Sequence, residues 1–203
     1  MLDRLQYFAL EPRVVLELGS VPGVAEDALR RRYPRALRIV VDAQADLLRE
    51  ARRRQRFWRR HPLLHADARS LPFADGSVDL VLGSLPDASG ESLRATGAGI
   101  RRVLRPGGLL LASCIDARAD ITTLASALAA AGMVEPVVDR ETRAGAGPGT
   151  GPNAGSIAGP NAGAGVEVLY VAAFAGVAPR TRSLPDGSTL ATIGIDSIGR
   201  RQS

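Results

Sequence analysis

The sequence predicts an α/β protein with a Rossmann-like, doubly wound sheet of about seven mainly parallel strands, an antiparallel late strand and helices on both faces, which makes a three-layer sandwich. Two observations support this prediction. Short apolar runs alternate with helical segments, which is the pattern of right-handed βαβ units. The first run, Val14–Leu18, leads through a glycine-containing turn into a helical segment. Such a junction is a usual ligand site in open α/β folds.

Length and composition narrow the class of protein. The 203 residues suit one domain with a sizeable core, and the net charge is +5. The single cysteine, Cys114, excludes an intramolecular disulfide and a cysteine-based zinc cluster, and we expect no metal site. Because no stretch resembles a signal peptide or a membrane span, we expect a cytoplasmic protein without membrane contact.

The elements of the first half follow from local pattern. Residues 1–13 are predicted to form an N-terminal arm, either one helical turn or a loose segment, and residues 14–143 are predicted to form the α/β core of the domain. After the strand Val14–Leu18, acidic residues in the first turn of Val24–Arg32 favour a helix through the helix dipole. The next elements are a strand at Arg38–Asp42, a helix at Gln44–Trp58, strands at Leu63–Asp67 and Ser77–Ser84, and a helix at Ser92–Leu104.

The second half is read in the same way. Arg105–Gly108 is expected to stop the preceding helix, because proline and glycine end helices. There follow a strand at Leu109–Ser113, a helix at Ile121–Ala131 closed by Gly132, and a strand at Val134–Val138. Residues 144–165 predict a disordered loop, since Gly, Ala and Pro bury little apolar area. Residues 166–178 supply the last strand of the core, antiparallel at or near the sheet edge, and residues 179–203 a polar tail.

Carboxylates at the ends of three predicted strands carry the functional hypothesis. They are Glu17, Asp42 and Asp67. Asp42 lies nineteen positions after Gly23, close to the ~20-residue offset at which an acid meets ribose hydroxyls in dinucleotide folds. Asp67 is placed to accept a hydrogen bond from an adenine amino group, and Glu17 either orders the glycine turn or bonds a ligand ammonium. No phosphate-binding glycine motif is present, so these acids predict a nucleoside site without a pyrophosphate.

Several motifs follow one another in the order of a known family. Val15–Gly23 resembles the first motif of class I S-adenosylmethionine-dependent methyltransferases. Asp42, Ala66–Ala68 with Leu71–Phe73, Ser77–Val81 and Arg101–Leu110 follow in the family's order. Ala129–Asp139 and Val166–Tyr170 resemble late segments of the malonyl-acyl-carrier-protein O-methyltransferases. Those enzymes methylate the free carboxylate of a malonyl thioester at the start of biotin synthesis.

The resemblance implies S-adenosylmethionine as cofactor, and a small molecule or an acyl group on acyl carrier protein as substrate. It implies that Glu17, Gly19 and Gly23 shape the methionine end of the pocket. Asp42 would hold the ribose and Asp67 with Ala68 the adenine, while Ser20, Ala43 and Ser84 complete the cofactor-binding set. No catalytic residue is assigned, because the sulfonium is already a strong leaving group and the protein mainly supplies alignment.

An alternative is a catalytically impaired methyltransferase-like domain that acts as a binding or regulatory protein. Val21 stands at the family's middle glycine, and a positive φ there would strain a β-branched residue by about 1–3 kcal/mol. The arginine-rich stretch Arg52–Arg60 suits either a solvated helix face or a docking surface for an acidic protein partner. A nucleic-acid ligand is not expected, because no recognition motif accompanies the positive charge.

Overall fold

A computed structural model describes residues 2–19, 26–55, 60–85, 90–114, 121–143 and 166–176. The described strands are β1 Val14–Leu18, β2 Leu37–Asp42, β3 Leu63–His65, β4 Val78–Leu85, β5 Leu104–Cys114, β6 Val134–Arg143 and β7 Val166–Ala175. The described α-helices are α1 Glu26–Arg32, α2 Ala45–Arg54, α3 Gly90–Val103 and α4 Ile121–Ala130, and a 3-10 helix covers Leu2–Tyr7.

The strands form one sheet in the order β3-β2-β1-β4-β5-β7-β6. β1 to β5 run parallel to one another, and β7 lies between β5 and β6, antiparallel to both and one strand in from the edge. The predicted doubly wound sheet with an antiparallel late strand is therefore confirmed. The chain moves outward from β1 to β3 and then crosses to β4 on the other side of β1, so the strand order reverses between β1 and β4. Open α/β folds bind ligands at such a reversal.

Apolar side chains cover both faces of this sheet. Alternate residues of β5 belong to different core clusters, with Leu110 on one face and Leu109 on the other. The first cluster contains residues of α3 and α4, and the second contains Leu29 of α1 and Leu5 of the 3-10 helix. The predicted three-layer sandwich is thus confirmed, and the described part of the N-terminal segment is a packed helical turn, since Leu5 is buried.

Three predicted element ends are corrected by the structure. α2 ends at Arg54, not at Trp58, because Gln55 has the extended dihedral angles φ −67° and ψ 125°. β3 ends at His65, so Asp67 lies in a turn beyond the strand and not at its last position. β6 continues to Arg143, because β7 provides backbone partners as far as that residue.

Residues 105–108 form an insertion inside β5 and do not precede the strand as predicted. The pairing of β4 with β5 jumps from Val78–Leu104 to Leu80–Leu109, which leaves the inserted residues opposite Asp79. Gly107 allows the detour with a φ of +79°, in the left-handed region that favours glycine. The predicted loop at 144–165, residues 177 and 178 and the predicted tail at 179–203 lie outside the described residues.

The Asp79 carboxylate connects three strands at the amino end of the sheet. Asp79 is 5% exposed, and its Oδ1 lies 2.6 Å from Nε of Arg105. Its Oδ2 accepts the backbone N–H groups of Arg13 and Val14, both at 2.7 Å. One buried side chain therefore holds the start of β1 against β4 and the insertion of β5.

Among the described helices, none has the length and apolar character that a membrane span requires.

Replacing Asp79 by Asn should lower the free energy of unfolding by about 2–3 kcal/mol, because the charge-assisted acceptor of partly buried donors is lost. Urea denaturation at neutral pH measures this loss. Asp75→Asn is the matched control, since it breaks an exposed ion pair with Arg102 and should cost less than about 1 kcal/mol. Equal losses in the two variants would contradict the proposed role of Asp79.

Candidate cofactor-binding site

The carboxyl ends of β1 and β4 meet at the reversal of strand order, with their backbones in close approach. Leu18 pairs with Gly83, and a Cβ on Gly83 would lie 2.7 Å from the Leu18 carbonyl oxygen. Gly19 has a φ of +54°, and a Cβ there would lie 3.6 Å from the carbonyl oxygen of Ser84. The predicted residues Gly19 and Ser84 are therefore side by side at the position where this fold class binds ligands.

Asp42 ends the neighbouring strand β2 and is buried, with 7% of its surface exposed. Its Oδ1 accepts the backbone N–H of Gln44 at 2.7 Å, and the described part of the chain gives Oδ2 no hydrogen-bond partner. The predicted residue Ala43 follows, and its carbonyl oxygen lies 2.9 Å from Nε2 of His65, which donates in the tautomer that carries the proton there. The turn after Asp42 is thus held against β3 by the contact between Ala43 and His65.

Glu17 forms a buried ion pair that crosses from β1 to β2. Its Oε1 lies 3.0 Å from Nε and 2.6 Å from Nη2 of Arg38, and both side chains are buried. Nη1 of Arg38 also donates to the backbone carbonyl of Glu26 at 3.2 Å, so Arg38 joins the end of β1 to the first residue of α1. Of the two roles predicted for Glu17, this geometry favours ordering of the glycine turn over bonding of a ligand ammonium. Burial raises the pKa of the Glu17 carboxyl, and the Arg38 charge opposes that rise.

Asp67 lies in a turn after β3 and is paired with Arg69. The Arg69 side chain contacts both carboxylate oxygens, with Nη2 2.5 Å from Oδ2 and Nε 3.1 Å from Oδ1. These hydrogen bonds lower the pKa of Asp67 to about 2. Ala68, predicted beside it, is half-buried in the same turn. The structure therefore places both residues near the end of β3, but the carboxylate already has a partner.

Some predicted residues are not described by the structure. Ser20 and Gly23, together with Val21 and Pro22, lie outside the described residues, so their roles stay predictions. The same holds for residues 56–59 of the arginine-rich stretch. Within the described ranges, no group of three or more His, Cys, Asp or Glu side chains is arranged to hold a metal ion.

Two residues of the site were missed by sequence reasoning. A weak sequence signal pointed to Arg38: an arginine at the start of the apolar run Ile39–Val41 is expected to be buried, and a buried charge needs a partner. Arg69 had none, since an arginine two positions after an acid in a polar turn is ordinary.

Comparisons with known proteins agree with this geometry. Residues 15–108 match the family model described as a methyltransferase domain. A malonyl-[acyl-carrier protein] O-methyltransferase of Xylella fastidiosa is 42% identical over 114 residues, which are 56% of this chain and 39% of that protein. The protein of the same name from Gallionella capsiferriformans is 31% identical over 168 residues, 70% of this chain and 58% of that protein. The resemblance that the motifs indicate is confirmed, although the chain spans only part of the length of these curated relatives.

Solved structures show the same fold. A geranyl diphosphate C-methyltransferase from Streptomyces coelicolor, in complex with Mg²⁺, geranyl diphosphate and S-adenosyl-L-homocysteine, has a TM-score of 0.62 at 18% identity, over 85% of this chain and 75% of that one. An S-adenosylmethionine-dependent methyltransferase from Methanosarcina mazei has a TM-score of 0.59 at 13% identity, over 86% and 96% of the two chains. At these identities the likeness shows the fold alone.

Replacing Arg38 by Met should leave Glu17 buried without its cation and lower the free energy of unfolding at pH 7 by about 3–5 kcal/mol. The folded-state pKa of Glu17, already raised above 4.5, should rise further. The folded form then binds more protons than the unfolded chain, so the variant should regain stability as the pH falls from 7 toward 4.5. Urea denaturation at several pH values measures both effects.

The double variant Glu17→Leu with Arg38→Met is the matched control. It removes both charges, so it should lose much less stability than Arg38→Met alone and show little of that pH dependence. A single variant that is as stable as the wild type, or that gains nothing at lower pH, would show that the pair is not buried as described.

Proposed function

We propose that the chain, whose residues 15–108 match a methyltransferase domain, is an S-adenosylmethionine-dependent methyltransferase. It would bind S-adenosylmethionine at the carboxyl ends of β1, β2 and β4 and transfer the methyl group to an acceptor. One observation carries the proposal. Gly19 and Ser84 adjoin at the reversal of strand order, next to a strand that ends in the buried carboxylate of Asp42. This is the arrangement with which open α/β folds bind a nucleoside.

The described residues fit this cofactor. Asp42 would accept hydrogen bonds from the ribose hydroxyls, since the described part of the chain leaves its Oδ2 without a partner. Gly19 and Ser84 would border the methionine part, because a turn without a Cβ lets a ligand approach the backbone. Asp67 and Ala68 would meet the adenine from the turn after β3.

The kind of methyl acceptor determines which catalytic groups the chain must supply. When bound, S-adenosylmethionine supplies an electrophilic methyl group on a sulfonium. A carboxylate acceptor is already ionised at neutral pH and needs no general base. The chain would therefore act by holding the acceptor in line with the methyl group and by excluding water.

The favoured acceptor is the free carboxylate of a malonyl thioester on acyl carrier protein. The names of the curated relatives support this choice. Charge supports it as well, because Arg52, Arg53 and Arg54 are exposed at the end of α2. The carboxylate of Glu50 lies 2.8 Å from Arg54 and 3.9 Å from Arg53, so one acid faces two of these arginines. The surplus positive charge would attract an acidic carrier protein.

Titration calorimetry with S-adenosylmethionine and S-adenosylhomocysteine tests the cofactor site. The wild type should bind both, and Asp42→Asn should weaken binding by about 10- to 100-fold, because a charge-assisted hydrogen bond to a buried acceptor is lost. Asp46→Asn is the matched control, since that acid is exposed in the first turn of α2, and it should bind as the wild type does.

The titration also separates the two hypotheses for this chain. A folded wild type that binds no cofactor at about 1 mM would overturn the proposal, since that threshold corresponds to only ~4 kcal/mol of binding free energy. The catalytically impaired domain would then be the better description.

Mass spectrometry of malonyl-acyl carrier protein after incubation with enzyme and cofactor tests the substrate. We expect one added methyl group on the malonyl carboxylate. Arg52→Glu with Arg53→Glu should raise the KM for malonyl-acyl carrier protein several-fold at low salt, because the surplus positive charge is reversed. The KM for a malonyl thioester of N-acetylcysteamine, which carries no acidic protein, should stay unchanged.

Arg30→Glu with Arg31→Glu reverses an equal charge on α1 and serves as the control for net charge. An equal rise of KM for both thioesters in the α2 variant, or an equal effect of the α1 variant, would rule out docking at the end of α2.

A further inference from the structure

The carboxylate of Asp67 is fully engaged by one neighbouring residue. Nε of Arg69 lies 3.1 Å from Oδ1 and 3.0 Å from Oδ2, and Nη2 lies 2.5 Å from Oδ2. The backbone N–H of Arg69 donates to Oδ1 at 2.8 Å. A guanidinium that contacts both oxygens occupies the positions at which the carboxylate would accept hydrogen bonds from a ligand. In the free protein, therefore, this acid is closed to an adenine amino group.

The backbone of this turn packs against helix α3, which restricts its movement. A Cβ on Gly99 of α3 would lie 2.7 Å from the carbonyl oxygen of Ala68 and 2.9 Å from that of Arg69, so the helix backbone packs directly against the turn. The N–H of Ser70 closes the turn on the carbonyl oxygen of Asp67 at 3.0 Å. Because the backbone has little room to shift, a ligand gains access to Asp67 only if the Arg69 side chain moves.

The Arg69 side chain can leave at small cost. It is 61% exposed, and the Asp67 side chain is 43% exposed. An exposed ion pair of this kind shifts an equilibrium by a factor of only about two to five. The backbone N–H of Arg69 does not move with the side chain, so it still orients the carboxylate through Oδ1 after Oδ2 becomes free.

We propose that Arg69 is a specificity-determining residue, which occupies the Asp67 carboxylate until the 6-amino group of an adenine displaces it. The inference rests on the proposed function. An amino group donates a hydrogen bond and can replace the guanidinium at Oδ2. The 6-oxo group of hypoxanthine is an acceptor, which the guanidinium can satisfy but the carboxylate cannot. Arg69 therefore lowers the affinity for an adenine ligand and limits discrimination against the 6-oxo analogue.

Calorimetric titration of the full chain with S-adenosylhomocysteine and with S-inosylhomocysteine, its 6-oxo analogue, tests this inference. Arg69→Ala should lower the Kd for S-adenosylhomocysteine by about two- to fivefold at low salt, because the competing ion pair is gone. The Kd for S-inosylhomocysteine should stay the same or rise. Arg69→Lys should give an intermediate Kd for the adenine ligand, since an ammonium is a point charge that cannot donate to both carboxylate oxygens with the geometry of a guanidinium.

Two controls connect the effect to Asp67. Arg30→Ala removes another exposed arginine of an ion pair and should change neither Kd. In an Asp67→Asn background, Arg69→Ala should no longer strengthen binding, because the group for which Arg69 competes is changed. The inference is overturned if both ligands gain equally in Arg69→Ala, if the Kd for S-adenosylhomocysteine does not fall, or if the gain persists without the Asp67 carboxylate.

A measurement without ligand tests the premise separately. The hydrogen bonds from Arg69 hold the pKa of Asp67 at about 2, and Arg69→Ala should return it toward 3.8. Carbon-detected NMR titration of the Asp67 carboxyl group measures both values. An ordinary pKa in the wild type would show that the pair is absent in solution and would overturn the inference. Failure of the folded wild type to bind S-adenosylhomocysteine would instead refute the proposed function, whereas normal binding with an unresponsive Arg69 refutes this inference alone.

Discussion

The ion pair between Glu17 and Arg38 is the interaction on which the candidate site depends. It joins β1 to β2, and through the carbonyl of Glu26 it also holds the start of α1. A buried pair of this kind adds little net stability, because desolvation of the two charges offsets their attraction, but breaking it is costly. Its main consequence is geometric. The end of β1 and the start of α1, which flank the glycine turn, are held at a set separation.

β1 is anchored at its other end by a second buried carboxylate. Asp79 accepts the N–H groups of Arg13 and Val14 and pairs with Arg105 of the β5 insertion. Asp79 holds the start of β1 to β4 and Glu17 holds its end to β2, so β1 has little freedom to slide between its two neighbours. Gly19 therefore leaves the sheet at a defined place beside Ser84, which is the condition for a preorganised ligand site.

The three acids predicted at strand ends meet three different environments. Glu17 is buried and paired with Arg38, so it fixes the end of β1 against β2. Asp42 is buried but bonded through one oxygen to its own turn, which leaves acceptor capacity at the surface of the site. Asp67 is exposed and held by Arg69. Acids in the same sequence pattern therefore differ in burial and in hydrogen-bond partners, according to the nearest cation, and these differences underlie the separate roles proposed for them.

Much of the fold could be predicted from the sequence, because it depends on local signals. Apolar runs, turn glycines and acidic first turns place β1, α1 and β2 to within a few residues, and the motif order indicates the methyltransferase domain that residues 15–108 match. The sequence by itself also determined which acids and glycines stand near the carboxyl ends of the strands. Tertiary structure alone decided their partners. Arg38 meets Glu17 across 21 positions, and residues 105–108 bulge opposite Asp79, because these contacts follow from strand register, which no local pattern encodes.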